Sequence, residues 1–285
     1  MTRNDHPHPV ELHYQGEREP HSGTEPRRSF RRDLLMSFSL PLRGDSLIRF
    51  LFYLLAHLPL PVALMWTRLY PAGWIHQQIK GWLAAWGFSS GLVWLIAMYD
   101  VSVVADTARG DDELPQLFDP DNFGADGIGA LFGSVVAAGF PLGLWLIIYF
   151  ACGIPNPAML WTMGTIMACL GIAIWPLSVL AAALHEKSGF FLRYDQHLMA
   201  MVYGWRRYLP VLCSLVPSFA GYALVVWLIL FKRQSLFDLN LTQFLWDSAL
   251  WAGGMCVLAY SSAVAMRNVG LFYRHGRQYL CWQAE

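Results

Sequence analysis

The residues able to do chemistry are few and lie far apart in the chain. His57 sits two positions before Pro59, while Asp100 and Asp247 interrupt otherwise apolar stretches. Asp106 and Arg109 are spaced i,i+3, which pairs them if a helix runs through both. His185-Glu186 and Asp195-x-His197 bring imidazole and carboxylate together, but neither has the H-E-x-x-H spacing that puts two zinc ligands on one helical face. No G-x-S-x-G elbow, Walker A loop or dinucleotide fingerprint occurs. The five cysteines (Cys152, Cys169, Cys213, Cys256, Cys281) stand singly, a spacing that gives neither a zinc site nor a disulfide framework.

The 105–127 stretch is the most distinctive, with seven acids against Arg109 and with Gly and Pro as punctuation. Carboxylates at alternate positions suit calcium, and a calcium loop requires ligands at fixed positions. With Asp119 at position 1, Asp121 falls at 3 and Gly124 at 6, but Phe123 stands at 5 and Ala130 at 12. Two ligands are missing, and the stretch reads as a solvated acidic loop anchored by Leu114, Leu117, Phe118 and Phe123. No metal or other cofactor is expected.

These residues must be positioned by elements that the composition already constrains. Of 285 residues, 55% are hydrophobic and 14% charged, where a water-soluble domain carries about 25% charged residues to coat its surface. Six apolar stretches are each about long enough to cross a hydrocarbon core of ~30 Å, at about 48–66, 82–104, 128–151, 158–184, 209–231 and 245–266. Prolines inside four of them (Pro59, Pro141, Pro176, Pro217) are tolerated in lipid where neighbours satisfy the freed backbone groups. The first stretch is the least regular, since Leu58-Pro59-Leu60-Pro61 also fits a broken or re-entrant helix. The expected fold is all-α: a six-helix transmembrane bundle over 46–285 behind a disordered polar tail over 1–45.

Orientation follows from the basic residues. With the amino terminus inside, 16 of the 20 Lys and Arg fall on the inner side, which the positive-inside rule assigns to the cytoplasm. Both termini are therefore expected in the cytoplasm and the chain in the cell (inner) membrane. Net charge is zero, so no basic footprint suggests nucleic acid. Phe190 to Tyr208 places Phe191, Tyr194, Leu198, Met201, Val202 and Trp205 on one helical face, with Arg193, Gln196, His197 and Arg207 opposite. That pattern predicts an amphipathic helix in the interface plane, facing anionic lipid headgroups. Asn268 to Trp282, with Arg274 and Arg277 among aromatics, predicts a second surface anchor.

The segments Ala105-Asp-Thr-Ala-Arg-Gly110-Asp-Asp-Glu-Leu-Pro115 and Met266-Arg-Asn-Val-Gly270-Leu-Phe-Tyr-Arg274 resemble those of a bacterial family, planctomycete proteins among them, known only as a polytopic membrane domain of unknown function. The similarity covers about residues 45–282 and implies a helical membrane domain with no assigned active site. The candidate functional residues are His57, Asp100, Asp106, Arg109, Gly110, Pro115, Arg193 and His197; His57 and Asp100 stand out among them because ionisable groups at membrane depth mark functional sites. The function expected is that of a non-enzymatic scaffold or membrane-organising protein, with transport or handling of an apolar substrate as the alternative.

Overall fold

A computed structural model describes residues 29–59, 75–116, 125–153, 156–184, 193–231, 241–277 and 280. Every regular element among them is helical. The helices are α1 (Phe30–Ser37), α2 (Gly44–His57), α3 (Ile75–Arg109), α4 (Ala125–Ala151), α5 (Pro157–Leu184), α6 (Tyr194–Phe231) and α7 (Leu241–Gly276), with a 3-10 turn at Leu40–Leu42.

Four helical segments among the described residues are long and apolar enough to cross a membrane: Ser90–Arg109, Phe132–Ala151, Pro157–Leu184 and Ala249–Gly276. They fall on four of the six expected crossings. The segment of α4 has a mean hydropathy of 1.9, yet only 17% of it is buried inside the protein. Phe132, Ile147 and Phe150 point outward, as do Trp161 on α5 and Val257 on α7. Contiguous exposed apolar surface of this extent is unfavourable in water and favourable in acyl chains. The fifth expected crossing, 209–231, is helical throughout as part of α6. The first begins as α2, which stops at His57 ahead of Pro59, whose missing N–H cannot extend the ladder beyond the Leu58 N–H bond to the Leu54 carbonyl. Its remainder, 60–66, and the Asp247 side chain lie outside the described residues.

The helices pair by close approach of small residues. α4 and α5 form an antiparallel hairpin in which Gly171 rests on the backbone of Ala138, where an added Cβ would lie 2.0 Å from the carbonyl oxygen. Gly270 of α7 meets Val104 and Thr107 of α3 in the same way, at 2.6–3.0 Å from an added Cβ. Such contacts bring backbones together where lipid offers no hydrophobic force between helices. Ser262 on α7 faces Asp100 on α3, as Gly270 faces Thr107, so these two helices run parallel. α2 runs against them, with Tyr53 at Asp100 and Ser46 at Leu114.

Three expectations change. The polar tail ends earlier than residue 45, because Ser29 caps α1 by accepting from the Arg32 N–H and α1 then folds onto α7. The Phe190–Tyr208 stretch is not a separate interfacial helix, since α6 runs unbroken for 38 residues through Pro210 and Pro217. Its apolar face is indeed outward, with Val202 and Trp205 exposed, but His197 on the opposite face is fully buried in the bundle. The expected carboxyl-terminal anchor is largely the last turns of α7, where Phe272 and Tyr273 are buried.

A proline explains how α6 docks. Pro141 has no N–H to offer the carbonyl of Ala137, four residues earlier. The Tyr194 hydroxyl donates to that carbonyl instead. Fourteen residues on, Tyr208 donates to the carbonyl of Ala173, in the turn ahead of Pro176. Ala137 and Ala173 lie at one level of the hairpin, because Ala138 and Gly171 touch, so α6 crosses the hairpin obliquely. Tyr194→Phe should lower stability by about 1–2 kcal/mol, read as a thermal or denaturant midpoint in detergent. The cost should shrink in a Pro141→Ala background, where Ala137 regains a backbone donor; an equal cost in both backgrounds would refute the pairing.

Candidate functional site

The chemistry-bearing residues converge along a seam between α2, α3 and α7. At its inner reach Asp100 accepts a hydrogen bond from the Tyr53 hydroxyl at 2.7 Å and from Ser262 Oγ at 3.3 Å. Tyr53 is fully buried and stacks on Tyr99, with ring centroids 4.4 Å apart. On its other side it meets the His57 ring edge-on, also at 4.4 Å. Spacing does this locally, since Tyr53 and His57 are four residues apart on α2 and share one face.

His57 Nδ1 lies 3.0 Å from the Tyr53 carbonyl oxygen. A carbonyl only accepts, so Nδ1 carries a hydrogen, and the neutral ring keeps its lone pair on Nε2. Nε2 is buried without a hydrogen-bond partner, as is the Tyr99 hydroxyl. The sequence reading named His57 and Asp100 separately, and Tyr53 joins them.

Where the seam reaches the end of the bundle, polar contacts become ionic. α3 closes with a Schellman turn in which Asp111 N–H donates to the Asp106 carbonyl and Gly110 N–H to that of Thr107. Gly110 has φ +113°, a left-handed conformation that glycine adopts without steric cost. The turn sends the chain back across α2 and α7. Asp112 then accepts from Arg267 at 3.3 Å and from Arg274 at 3.0 Å. Glu113 pairs with Arg49 at 3.0 Å, and Arg49 also donates to the Leu114 carbonyl. The Leu114 N–H donates to Ser46 Oγ, and Leu114 and Pro115 are buried. Asp33 of α1 meets His275 of α7 at 2.8 Å, Tyr260 donates to the Phe38 carbonyl, and Arg207 of α6 donates to that of His275. Five segments are thus tied at one end of the bundle.

The remaining sequence candidates sort by position. Asp106 and Arg109 approach to 4.0 Å on α3, the i,i+3 pairing expected. Arg193 forms a two-point pair with Asp195 at 3.1 and 3.2 Å. Those hydrogen bonds hold the Asp195 carboxyl below its usual range. Both partners are well exposed, which leaves the pair worth little to stability. His197 lies on α6, outside the seam. Sequence reasoning missed Tyr53, Ser262, Asp112, Arg267 and His275 as partners. Only Tyr53, one turn from His57, carried a local signal.

The clamp makes a quantitative distinction. Arg267 is 4% exposed, so losing its carboxylate leaves a charge stranded, whereas Glu113 is 63% exposed. Asp112→Asn should cost on the order of 1–3 kcal/mol, and Glu113→Gln within about 1 kcal/mol. Denaturation midpoints in detergent decide this, and equal losses would mean that Asp112 does not neutralise Arg267. Compared with protein-family models, with characterised proteins and with solved structures, the chain matches none.

Proposed function

We propose that the chain is a six-crossing inner-membrane protein with both termini in the cytoplasm, acting as a non-enzymatic scaffold that organises the membrane surface. Support for the topology comes from the clamp. Segments that the charge count assigns to the cytoplasm (Asp33, Arg49, Asp112, Arg267, Arg274) meet at one end of the bundle. The basic residues gathered there match the inner-side excess.

The observation that carries the scaffold reading is the strap formed by α1 and the 3-10 turn. It is locked to α7 through Asp33 and His275, and it holds Leu35, Phe38 and Leu42 outward at 71%, 49% and 59% exposure. Arg31 and Arg32 are also exposed on it. An apolar edge beside arginines, fixed to a bundle end, is built to sit among headgroups and acyl chains.

Single-cysteine variants test the placement. A cysteine at Asp111 or Arg193 should react with an impermeant thiol reagent only in opened cells, and one at Asn156 in intact cells. Leu35→Ser/Phe38→Ser, and separately Arg31→Gln/Arg32→Gln, should reduce the proteins and anionic phospholipids that co-purify by several-fold while the bundle stays folded. Unchanged co-purification in both would end the scaffold reading. Arg207 is left intact because it supports α7.

One observation favours a second reading, transport of a small or apolar substrate with proton exchange. Asp100, the unpartnered His57 Nε2 and the Tyr99 hydroxyl surround Tyr53 within the bundle. Ionisable residues so placed mark proton relays and substrate paths. Proteoliposomes loaded with a pH-sensitive dye should then show substrate-dependent proton flux that Asp100→Asn and His57→Gln each abolish. Flux equal to that of empty vesicles across a panel of amphiphilic substrates would exclude it.

A further inference from the structure

A pocket of about 250 Å³ opens beside the clamp, walled by Arg43, Gly44, Asp45 and Ser46 at the start of α2, by Arg267 of α7, and by Asp112 and Glu113. Met36 and Leu40 of the strap complete it. That is far more than the ~30 Å³ share of one water molecule.

Three features of its wall are unmatched. First, α2 has no side-chain cap, and among the described residues nothing accepts from the N–H groups of Gly44, Asp45 or Ser46. Gly44 has φ +48° ahead of residues in helical conformation, a succession that turns consecutive N–H groups toward one concavity. Orphan amides and the helix dipole together favour a phosphate oxygen. Second, Arg267 is nine-tenths buried and uses Nη2 on Asp112; its Nε and Nη1 have no partner and are closed off from solvent, so toward the pocket it contributes its charge. Third, Arg43 and Asp45 are both exposed, and no ion pair among the described residues uses either. The other carboxylates of the wall are neutralised, Asp112 by Arg267 and Arg274 and Glu113 by Arg49.

What remains is one free cation, one half-used buried cation, a row of amides and one free carboxylate. An anion alone would leave Asp45 facing it uncompensated. We propose that this pocket binds the zwitterionic headgroup of an aminophospholipid, with the phosphate held by Arg43 and the first-turn amides of α2 in the field of the Arg267 charge, and the primary ammonium held by Asp45. The exposed Leu35, Phe38 and Leu42 of the strap lie alongside, where the acyl chains of the same lipid belong. The inference rests on the proposed placement of this end at the membrane surface, which cysteine labelling tests independently.

The test uses the full chain in detergent, titrated with short-chain phosphatidylethanolamine, phosphatidylglycerol, phosphatidylcholine or inorganic phosphate. Bound lipid is counted by native mass spectrometry and protection by thermal shift. Phosphatidylethanolamine should bind at one site and raise the melting temperature. Arg43→Gln and Asp45→Asn, both at exposed positions, should each weaken it about tenfold without changing the melting temperature of the lipid-free protein. Phosphatidylcholine, whose quaternary ammonium cannot donate to Asp45, should bind as weakly as the Asp45→Asn variant binds phosphatidylethanolamine. Equal binding of phosphatidylglycerol, or phosphatidylethanolamine binding left unchanged or strengthened by Asp45→Asn, would reduce the pocket to a simple anion site and overturn the proposal. So would full protection by inorganic phosphate alone. If cysteine labelling puts this end in the cytoplasm and phosphatidylethanolamine still fails to bind, the pocket is at fault and the topology stands.

Discussion

In hydrocarbon no water is available to take up a stray backbone carbonyl, and each one left without a donor costs several kcal/mol. This constraint governs the fold. Straight apolar helices meet it by themselves, but α4 breaks it at Pro141, and the group it strands, the Ala137 carbonyl, becomes a docking point for Tyr194. With Tyr208 bound to Ala173 further along, α6 is pinned across the α4–α5 hairpin at two places. The hairpin is rigid enough to accept this because Gly171 lets its two backbones touch. A defect in one helix thereby specifies the position of another. The same bonds hold the amino-terminal half of α6 in the bundle and explain why an amphipathic pattern there does not peel away as a surface helix.

Charge is handled by a parallel economy. A guanidinium as buried as that of Arg267 is tolerated only with a counter-charge and further hydrogen bonds. The protein supplies Asp112 by ending α3 at Gly110, whose left-handed conformation turns the chain back over α7. Buried Leu114 and Pro115 then fix the loop against α2. The acidic character of the segment has a structural cause, since its described acids answer arginines that arrive from α2 and α7. The clamp also joins segments distant in sequence, so the strap, α2, α3 and α7 can only move together at that end.

Much of this was legible before any coordinates. The span positions on α3, α4, α5 and α7 follow from runs of apolar residues, because lipid selects by composition and length alone. The Asp106–Arg109 pair follows from helical periodicity, and the halt of α2 ahead of Pro59 follows from the N–H that proline lacks. The failures share one physical origin. Which of seven acids would meet Arg267, or that Ser262 would face Asp100, depends on how α3 and α7 are aligned. That alignment is decided by Gly270 fitting against Val104 and Thr107, contacts between residues far apart in the chain. The face of α6 expected to meet lipid headgroups, bearing His197, turned inward because Tyr194 and Tyr208 hold the helix onto the hairpin. Amphipathicity identifies two faces, but within a membrane protein either one can be the buried one.

The seam poses a question that its own geometry narrows. Among the described residues Asp100 receives two hydroxyl donors and no cation, whereas Asp112, at the bundle end, has two arginines. Equal carboxylates have thus been given unequal partners. A purely structural Asp100 would gain from an arginine or from replacement by an amide, either of which removes the cost of a bare buried charge. Hydroxyl donors instead stabilise an ionised carboxylate only partly, and they remain compatible with a protonated one, since a hydroxyl both donates and accepts. Tyr53 links it to a histidine whose Nε2 has no partner. The bundle end pairs its charges with opposite charges, and the seam meets its carboxylate with hydroxyls. A scaffold needs the first property alone, so the second is the feature of this fold that the scaffold reading does not use.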